Sequence, residues 1–160
     1  KNINYTWLDL SSDMLLSASK NFPDKNFLEL NMTDLDKINS NSFDYIFFIA
    51  SFHHLDSIND RIIVLEKAKK LLKKWWIIFM TNWSLDSDVN KEKYLNSRIL
   101  DSVNDFWSYD YNILFWDYSR YYHWFDLWEL NYLFEKTGFD VLENKEFESK
   151  KNLISVIKKN

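Results

Sequence analysis

Glycine and proline, the residues that most often mark turns, occur once each in 160 residues, and cysteine does not occur at all. Without cysteine the chain has no disulfides and no thiolate metal sites, which excludes a stapled secreted scaffold and a zinc ribbon. No apolar run approaches the ~20 residues of a membrane-spanning helix, and no signal peptide is visible. Positive charge is not in excess either. Twenty Lys and Arg stand against 24 Asp and Glu, for a net charge of −4, so no broad basic field marks a nucleic-acid surface. The expected setting is the cytoplasm, with no membrane partner and no metal.

What is present is aromatic. Eight tryptophans accompany the single glycine, where average usage of about 7% would give roughly eleven glycines. Lys, Asn, Ile, Phe and Tyr are abundant while Ala occurs three times, a pattern typical of AT-rich coding sequence. Trp has a GC-rich codon in the standard code and should be scarce too. The opal stop codon is AT-rich, however, and is read as Trp in one variant code and as Gly in another. Two readings follow: several tryptophans stand where the gene encodes glycine, or the protein has an aromatic core with unusual turns. Trp75-Trp76 poses the choice sharply. It follows the Lys-rich helix end Lys67–Lys74, where a left-handed glycine normally provides the exit.

Hydrophobic residues make up 46% of the chain, enough for one globular domain over residues 1–160. Ile3 to Leu8 reads as a strand ending at Asp9. Ser11 caps a helix from Ser12 to about Asn21, with Met14, Leu15 and Ala18 on one face. Phe27 to Leu30 is a second strand. Phe43 to Ala50 is nearly continuously apolar, as a strand covered on both faces would be. Ser57 and Asp60 open a helix with the stripe Ile62, Leu65, Ala68 and Leu72, and residues 75–81 form the next strand. Residues 88–103 can be helical, and 104–123 reads as irregular and aromatic-dense. Asp126 with Glu129 caps a helix to Thr137, with Gly138 as its C-terminal glycine. Phe139–Asn144 and Leu153–Ile157 end the chain as a hairpin. The alternation of strands and helices argues for an open α/β sheet.

Four segments carry chemistry. An acid at a strand's carboxyl end, such as Asp9, is where open α/β folds hold ribose hydroxyls. The segment Trp7-Leu8-Asp9-Leu10-Ser11-Ser12-Asp13-Met14-Leu15 resembles the G-x-D-x-S-x-x-M-L segment of class I S-adenosylmethionine-dependent methyltransferases, with Trp7 at the family glycine. Phe27 to Leu35 is similar to the strand and loop that reach the adenine, with Asn31 at the family's acid. Ser42 to Leu55 resembles the fourth-strand motif, and Lys73-Lys74-Trp75-Trp76 the family's K-P-G-G turn. The resemblance implies a Rossmann-like three-layer α/β/α fold with a mostly parallel sheet and an antiparallel C-terminal strand. The family's first strand and glycine-rich loop would be expected upstream of Lys1. It further implies S-adenosyl-L-methionine as cofactor, held by Asp9, Leu10, Met14, Asn31, Met32 and Ser51.

Arg120-Tyr121-Tyr122-His123, followed by Glu129-Leu130, resembles the R-Y-Y-H … G-E-L segment of tRNA wobble-uridine carboxymethyl methyltransferases, with Trp128 at a family glycine. This implies catalytic-side roles for His54, Arg120, Tyr121, Tyr122 and His123, tRNA as substrate and a small activator subunit as partner. The alternative is that Tyr121 and Tyr122 pack and Arg120 makes a surface ion pair. His53-His54 without further ligands is weak evidence for metal. The Lys67–Lys74 run is the solvated face of a helix and the first place to look for a phosphate contact. Two other functions remain: a small-molecule methyltransferase, and a non-catalytic scaffold of the same fold. By this alignment Trp7, Trp75, Trp76 and Trp128 fall on glycines, Trp124 is ambiguous, and Trp83, Trp107 and Trp116 are genuine.

Overall fold

A computed structural model describes residues 3–102 and 104–160. Lys1, Asn2 and Val103, the last residue of the expected 88–103 helix, lie outside the described residues. The chain forms two compact units, Lys1–Asn39 and Ser40–Asn160.

In the first unit β1 (Thr6–Asp9) pairs in parallel with β2 (Asn26–Glu29), joined by α1 (Ser12–Asn21). Helix α1 starts where Ser11 Oγ accepts the Met14 N–H at 3.3 Å, satisfying one of the donors a helix start leaves open. A 3₁₀ turn, Met32–Lys37, replaces any longer helix after β2.

The second unit holds a four-stranded sheet in the order β3-β4-β8-β7. The strands are β3 (Phe43–Ile49), β4 (Leu72–Trp83), β7 (Phe139–Glu146) and β8 (Asn152–Lys159). β3 runs parallel to β4, while β8 is antiparallel to both neighbours. Helix α2 (Ile58–Leu71) leads into β4 and α4 (Leu127–Lys136) into β7. The chain is thus mixed α/β, with a sheet partly parallel and partly antiparallel. Alternate positions of the sheet are buried: Phe48 on β3, Ile78 and Met80 on β4, Leu153 and Ile157 on β8. Each such side chain contributes about 1.5–3 kcal/mol when fully withdrawn from water. No helix among the described residues is long and apolar enough to cross a membrane.

Four sequence expectations change. Strand β3 is covered on one face only, for Tyr45, Phe47 and Ile49 are 46–62% exposed. The buried stripe of α2 is Arg61, Val64, Leu65, Ala68 and Leu71: it keeps Leu65 and Ala68 of the expected stripe, but an arginine at 61 stands in place of Ile62. Of the stretch expected to be helical, the described residues 88–102 hold the short helix α3 (Lys91–Tyr94) and a 3₁₀ turn at Leu95–Ser97. The stretch read as irregular is a hairpin of β5 (Tyr109–Phe115) and β6 (Tyr118–Trp124). Its residues alternate between two faces, a period-2 pattern that the density of aromatics on both faces obscures.

Positive φ, where a Cβ is strained, falls on three tryptophans: Trp75 (71°), Trp107 (63°) and Trp116 (51°). Trp75 lies where Lys73–Trp76 loop out of the ladder, between the pairs Phe43–Leu72 and Tyr45–Ile77. Trp107 and Trp116, expected to be genuine, therefore share the backbone signature of glycine. Trp7, Trp76 and Trp128 show no positive φ. Gly138 has φ 72° as expected, and a Cβ there would meet Lys69 Nζ at 2.6 Å.

Candidate functional site

In the first unit the cofactor-motif residues gather at the carboxyl ends of two adjacent parallel strands, the usual ligand edge of an open α/β sheet. Asp9 ends β1, and its Oδ1 accepts the Ser11 N–H at 2.9 Å. That leaves Oδ2 to receive a hydroxyl. Leu10 and Met14 are 64% and 59% exposed, giving apolar surface beside the carboxylate. Asn31 follows β2, but its Oδ1 already accepts the Thr33 N–H at 3.0 Å, capping the 3₁₀ turn. Its Nδ2 is a donor, which an aspartate would not offer. Met32 opens that turn, so its backbone N–H has no partner within the turn.

In the second unit Ser51 follows Ala50, whose φ of 48° is rare for a residue with a Cβ. Ala50 N–H donates to the Thr81 carbonyl at 3.0 Å and to Thr81 Oγ1 at 3.1 Å. Such strain persists where surrounding bonds over-determine it, commonly beside a site. The 3₁₀ turn Phe52–His54 comes next. His53 is buried, and its Nδ1 accepts the Trp83 N–H at 3.1 Å. Burial, with the nearby His54 and Arg120, holds its pKa well below the ordinary value, so the ring is neutral. The proton then sits on Nε2, which is buried without a partner.

His54 Nδ1 lies 2.9 Å from the Tyr121 carbonyl oxygen. A carbonyl only accepts, so Nδ1 carries the hydrogen and Nε2 is left as an acceptor. Burial lowers the His54 pKa; the Tyr121 carbonyl opposes this and the Arg120 charge adds to it. The ring packs edge-on against Tyr122 at 4.5 Å between centroids. Tyr122 in turn stacks on Trp83 at 4.9 Å, within a cluster that includes Leu85, Tyr111 and Ile113.

The four residues Arg120–His123 divide by strand alternation. Arg120 and Tyr122 share the face of β6 that meets His53 and His54; Arg120 is exposed while Tyr122 is 2% exposed. Tyr121 and His123 point to the other face and are taken up in a closed set of bonds. His123 Nδ1 lies 2.6 Å from Asp110 Oδ1, and Nε2 lies 2.8 Å from Glu129 Oε2. With an acid on each nitrogen, the imidazole donates twice only when protonated. Arg61 Nη1 donates to Glu129 Oε1 at 3.1 Å and Nη2 to the Tyr121 hydroxyl at 3.2 Å. The Tyr121 hydroxyl donates to Asp110 Oδ1 at 2.7 Å, which closes the ring.

Burial alone would push the Asp110 carboxyl up, but hydrogen bonds from His123 and Tyr121 outweigh it and hold its pKa below the ordinary value. The same balance, with His123 and Arg61 opposing a deeper burial, holds Glu129 low. Tyr121 is pushed the other way, far up, by burial and by the Asp110 carboxylate. Tyr121 and His123 therefore stand behind the acceptor side and offer it no free side-chain group. Arg61 and Asp110 were not legible as site residues, and Glu129 was legible only as part of the motif that follows His123. The available signal was an arginine at a core position of an amphipathic helix, which requires a buried acid.

Glu129 does not close a capping box; Asp126 alone caps α4, through the Trp128 N–H at 2.7 Å. The Lys67–Lys74 run is largely engaged with its own chain. Lys69 donates to the Thr137 and Gly138 carbonyls, Lys73 pairs with Asp44 at 2.8 Å, and Lys74 and Lys158 sit over the Trp75 ring. Among the described residues no three His, Asp or Glu cluster as a metal site.

Residues 1–74 match the family model described as a methyltransferase domain. By sequence, no curated protein matches the chain. Among solved structures, a S-adenosylmethionine-dependent methyltransferase from Methanosarcina mazei superposes with a TM-score of 0.75 at 14% identity, covering 96% of this chain and 81% of that one. A putative methyltransferase of the same dependence from Listeria monocytogenes gives 0.75 at 14%, covering 98% and 80%. The 1,6-didemethyltoxoflavin N1-methyltransferase of Burkholderia thailandensis, solved with bound 1,6-didemethyltoxoflavin and S-adenosylhomocysteine, gives 0.65 at 14%, covering 97% and 60%. The first 74 residues are thus similar to a methyltransferase domain, and the chain shares the Rossmann-like fold of these solved structures.

Proposed function

We propose that this chain is a S-adenosylmethionine-dependent methyltransferase whose acceptor is the carboxylate of a carboxymethylated wobble uridine in tRNA, working in the cytoplasm with a small activator subunit. The observation that carries the acceptor reading is the shared face of Arg120, Tyr122 and His54 in the second unit. The residues of the first unit fit the cofactor. Asp9 keeps one carboxylate oxygen for the ribose, and Leu10 and Met14 offer apolar surface to the adenine. Asn31 and Met32 supply polar groups after β2. When bound, S-adenosylmethionine supplies an electrophilic methyl group.

A carboxylate is already a nucleophile, so the chain's task is to orient it and needs no general base. Arg120, the exposed cation of the face, grips the carboxylate through two parallel N–H donors. Tyr122 is too buried to act as a stacking platform and instead holds His54 edge-on. His54 Nε2, a bare acceptor, receives an N–H from the base. Comparing tRNA nucleosides with and without the gene tests the reading. Loss of the carboxymethyl ester supports it; an unchanged profile overturns it and leaves a small-molecule acceptor, for which the net charge of −4 speaks.

A further inference from the structure

His54 is held from two directions, and both lead to the same five side chains. Its Nδ1–H donates to the carbonyl of Tyr121, whose hydroxyl belongs to the ring of Arg61, Asp110, Tyr121, His123 and Glu129. The residue after it, Leu55, has its carbonyl gripped by Arg61 Nε at 3.2 Å and Nη2 at 2.9 Å. Arg61 thus ties the backbone at His54 to Glu129, 68 residues away. Neither tie involves a group left over for substrate. Each ring member has its partner inside the ring, and Asn104 Nδ2 adds a further donor to Glu129 Oε2 at 3.3 Å. Side chains bonded to one another in this way fix geometry.

We infer that Arg61, Asp110, Tyr121, His123 and Glu129 form a positioning unit that sets the tautomer and orientation of His54, so that Nε2 is presented as an acceptor to an N–H of the substrate, such as the imide of a uracil ring. This rests on the reading of His54 as an acceptor-side residue. The unit selects substrate by chemistry. A ligand with a donor at that point gains a hydrogen bond, and one with only an acceptor meets a lone pair. A neutral imidazole free to rotate or exchange tautomers would make no such distinction.

The test is ¹⁵N NMR of histidine-labelled full chain, which separates the two neutral tautomers by their nitrogen shifts. The expected wild-type spectrum shows His54 in the Nδ1–H form. Tyr121→Phe removes the hydroxyl from the ring and keeps the carbonyl. It is expected to convert His54 to a mixture of tautomers and to lower kcat about tenfold to a hundredfold with KM for S-adenosylmethionine unchanged. Glu129→Gln, which keeps shape and loses charge, is expected to do the same and serves if the first variant fails to fold. Folded variants with the wild-type His54 signature overturn the inference. Failure of the underlying reading looks different: the wild-type chain methylates no carboxymethyluridine tRNA, while the His54 signature still responds to Tyr121→Phe, which sustains the positioning unit.

Discussion

The motif residues of the first unit bond to near neighbours, and those of the second reach across the chain. Asp9 bonds Ser11, Ser11 bonds Met14 and Asn31 bonds Thr33, none more than three positions away. Arg61 meets Glu129 across 68 positions and His54 meets the Tyr121 carbonyl across 67. The first kind of contact is a cap, worth about 1 kcal/mol and replaceable by water. The second kind places charges out of water, where the loss of one partner leaves the others uncompensated. Removing a motif residue should therefore disturb ligand binding in the first unit and folding in the second.

Glu129→Ala should have the largest effect. It takes from Arg61 and His123 the buried carboxylate they share, and should cost about 3–5 kcal/mol of stability. Urea unfolding measures it. A loss below about 1 kcal/mol, the range of a solvated surface pair, would mean the two regions do not differ in kind.

Acid should expose the same asymmetry. Burial works to raise the folded-state pKa values of Asp110 and Glu129, but the bonds from His123 prevail and leave both depressed. Stability from such groups is present above their unfolded pKa and disappears as pH falls through the folded one. Unfolding is therefore expected below the ordinary carboxylate range, and a circular-dichroism titration should place it there. In Asp110→Asn the acid transition should lose steepness, because one of the two depressed carboxyls no longer takes up a proton.

Asp9→Ala is the opposite case. Its carboxylate caps a local turn, so stability should move by no more than about 1 kcal/mol. Loss of a charged acceptor for the ribose should weaken S-adenosylmethionine by about 1.5–3 kcal/mol, or roughly tenfold to a hundredfold, by calorimetry. Equal effects on folding and on binding would erase the distinction between the regions.

The same contrast explains what was legible. The caps at Ser11, Ser57 and Asp126, the exit at Gly138 and the closing hairpin are decided within a few residues, and pattern alone located them. The ring was only half legible: Tyr121, His123 and Glu129 stand in one motif, whereas Arg61 and Asp110 lie apart in sequence and look individually like a helix arginine and a loop acid. Strand alternation, once β6 is known, separates Arg120 and Tyr122 from Tyr121 and His123. Reading residues 104–123 as irregular hides that split; the hairpin pairing of Asp110 with His123 and of Ile113 with Arg120 supplies it.

The smallest expected effects concern the tryptophans, and they bear on turns in the second unit alone. Trp116 is 98% exposed at φ 51°, and Trp107 is 69% exposed at φ 63°. An L-residue in this region is strained by about 1–2 kcal/mol, while glycine adds about 0.5–1 kcal/mol of unfolded-state entropy. Trp116→Gly should then stabilise by up to about 1 kcal/mol, since a side chain that exposed loses almost no contact. Trp107→Gly should follow, and Trp75→Gly should gain less because its ring carries Lys74 and Lys158. Trp83→Gly is the counter-case: its ring stacks on Tyr122 and packs against His53, and its loss should destabilise. Thermal melts of the four variants decide between glycine-like turns and an aromatic core. If Trp107→Gly and Trp116→Gly lower Tm as Trp83→Gly does, the tryptophans are packing residues and the glycine reading of the turns is lost.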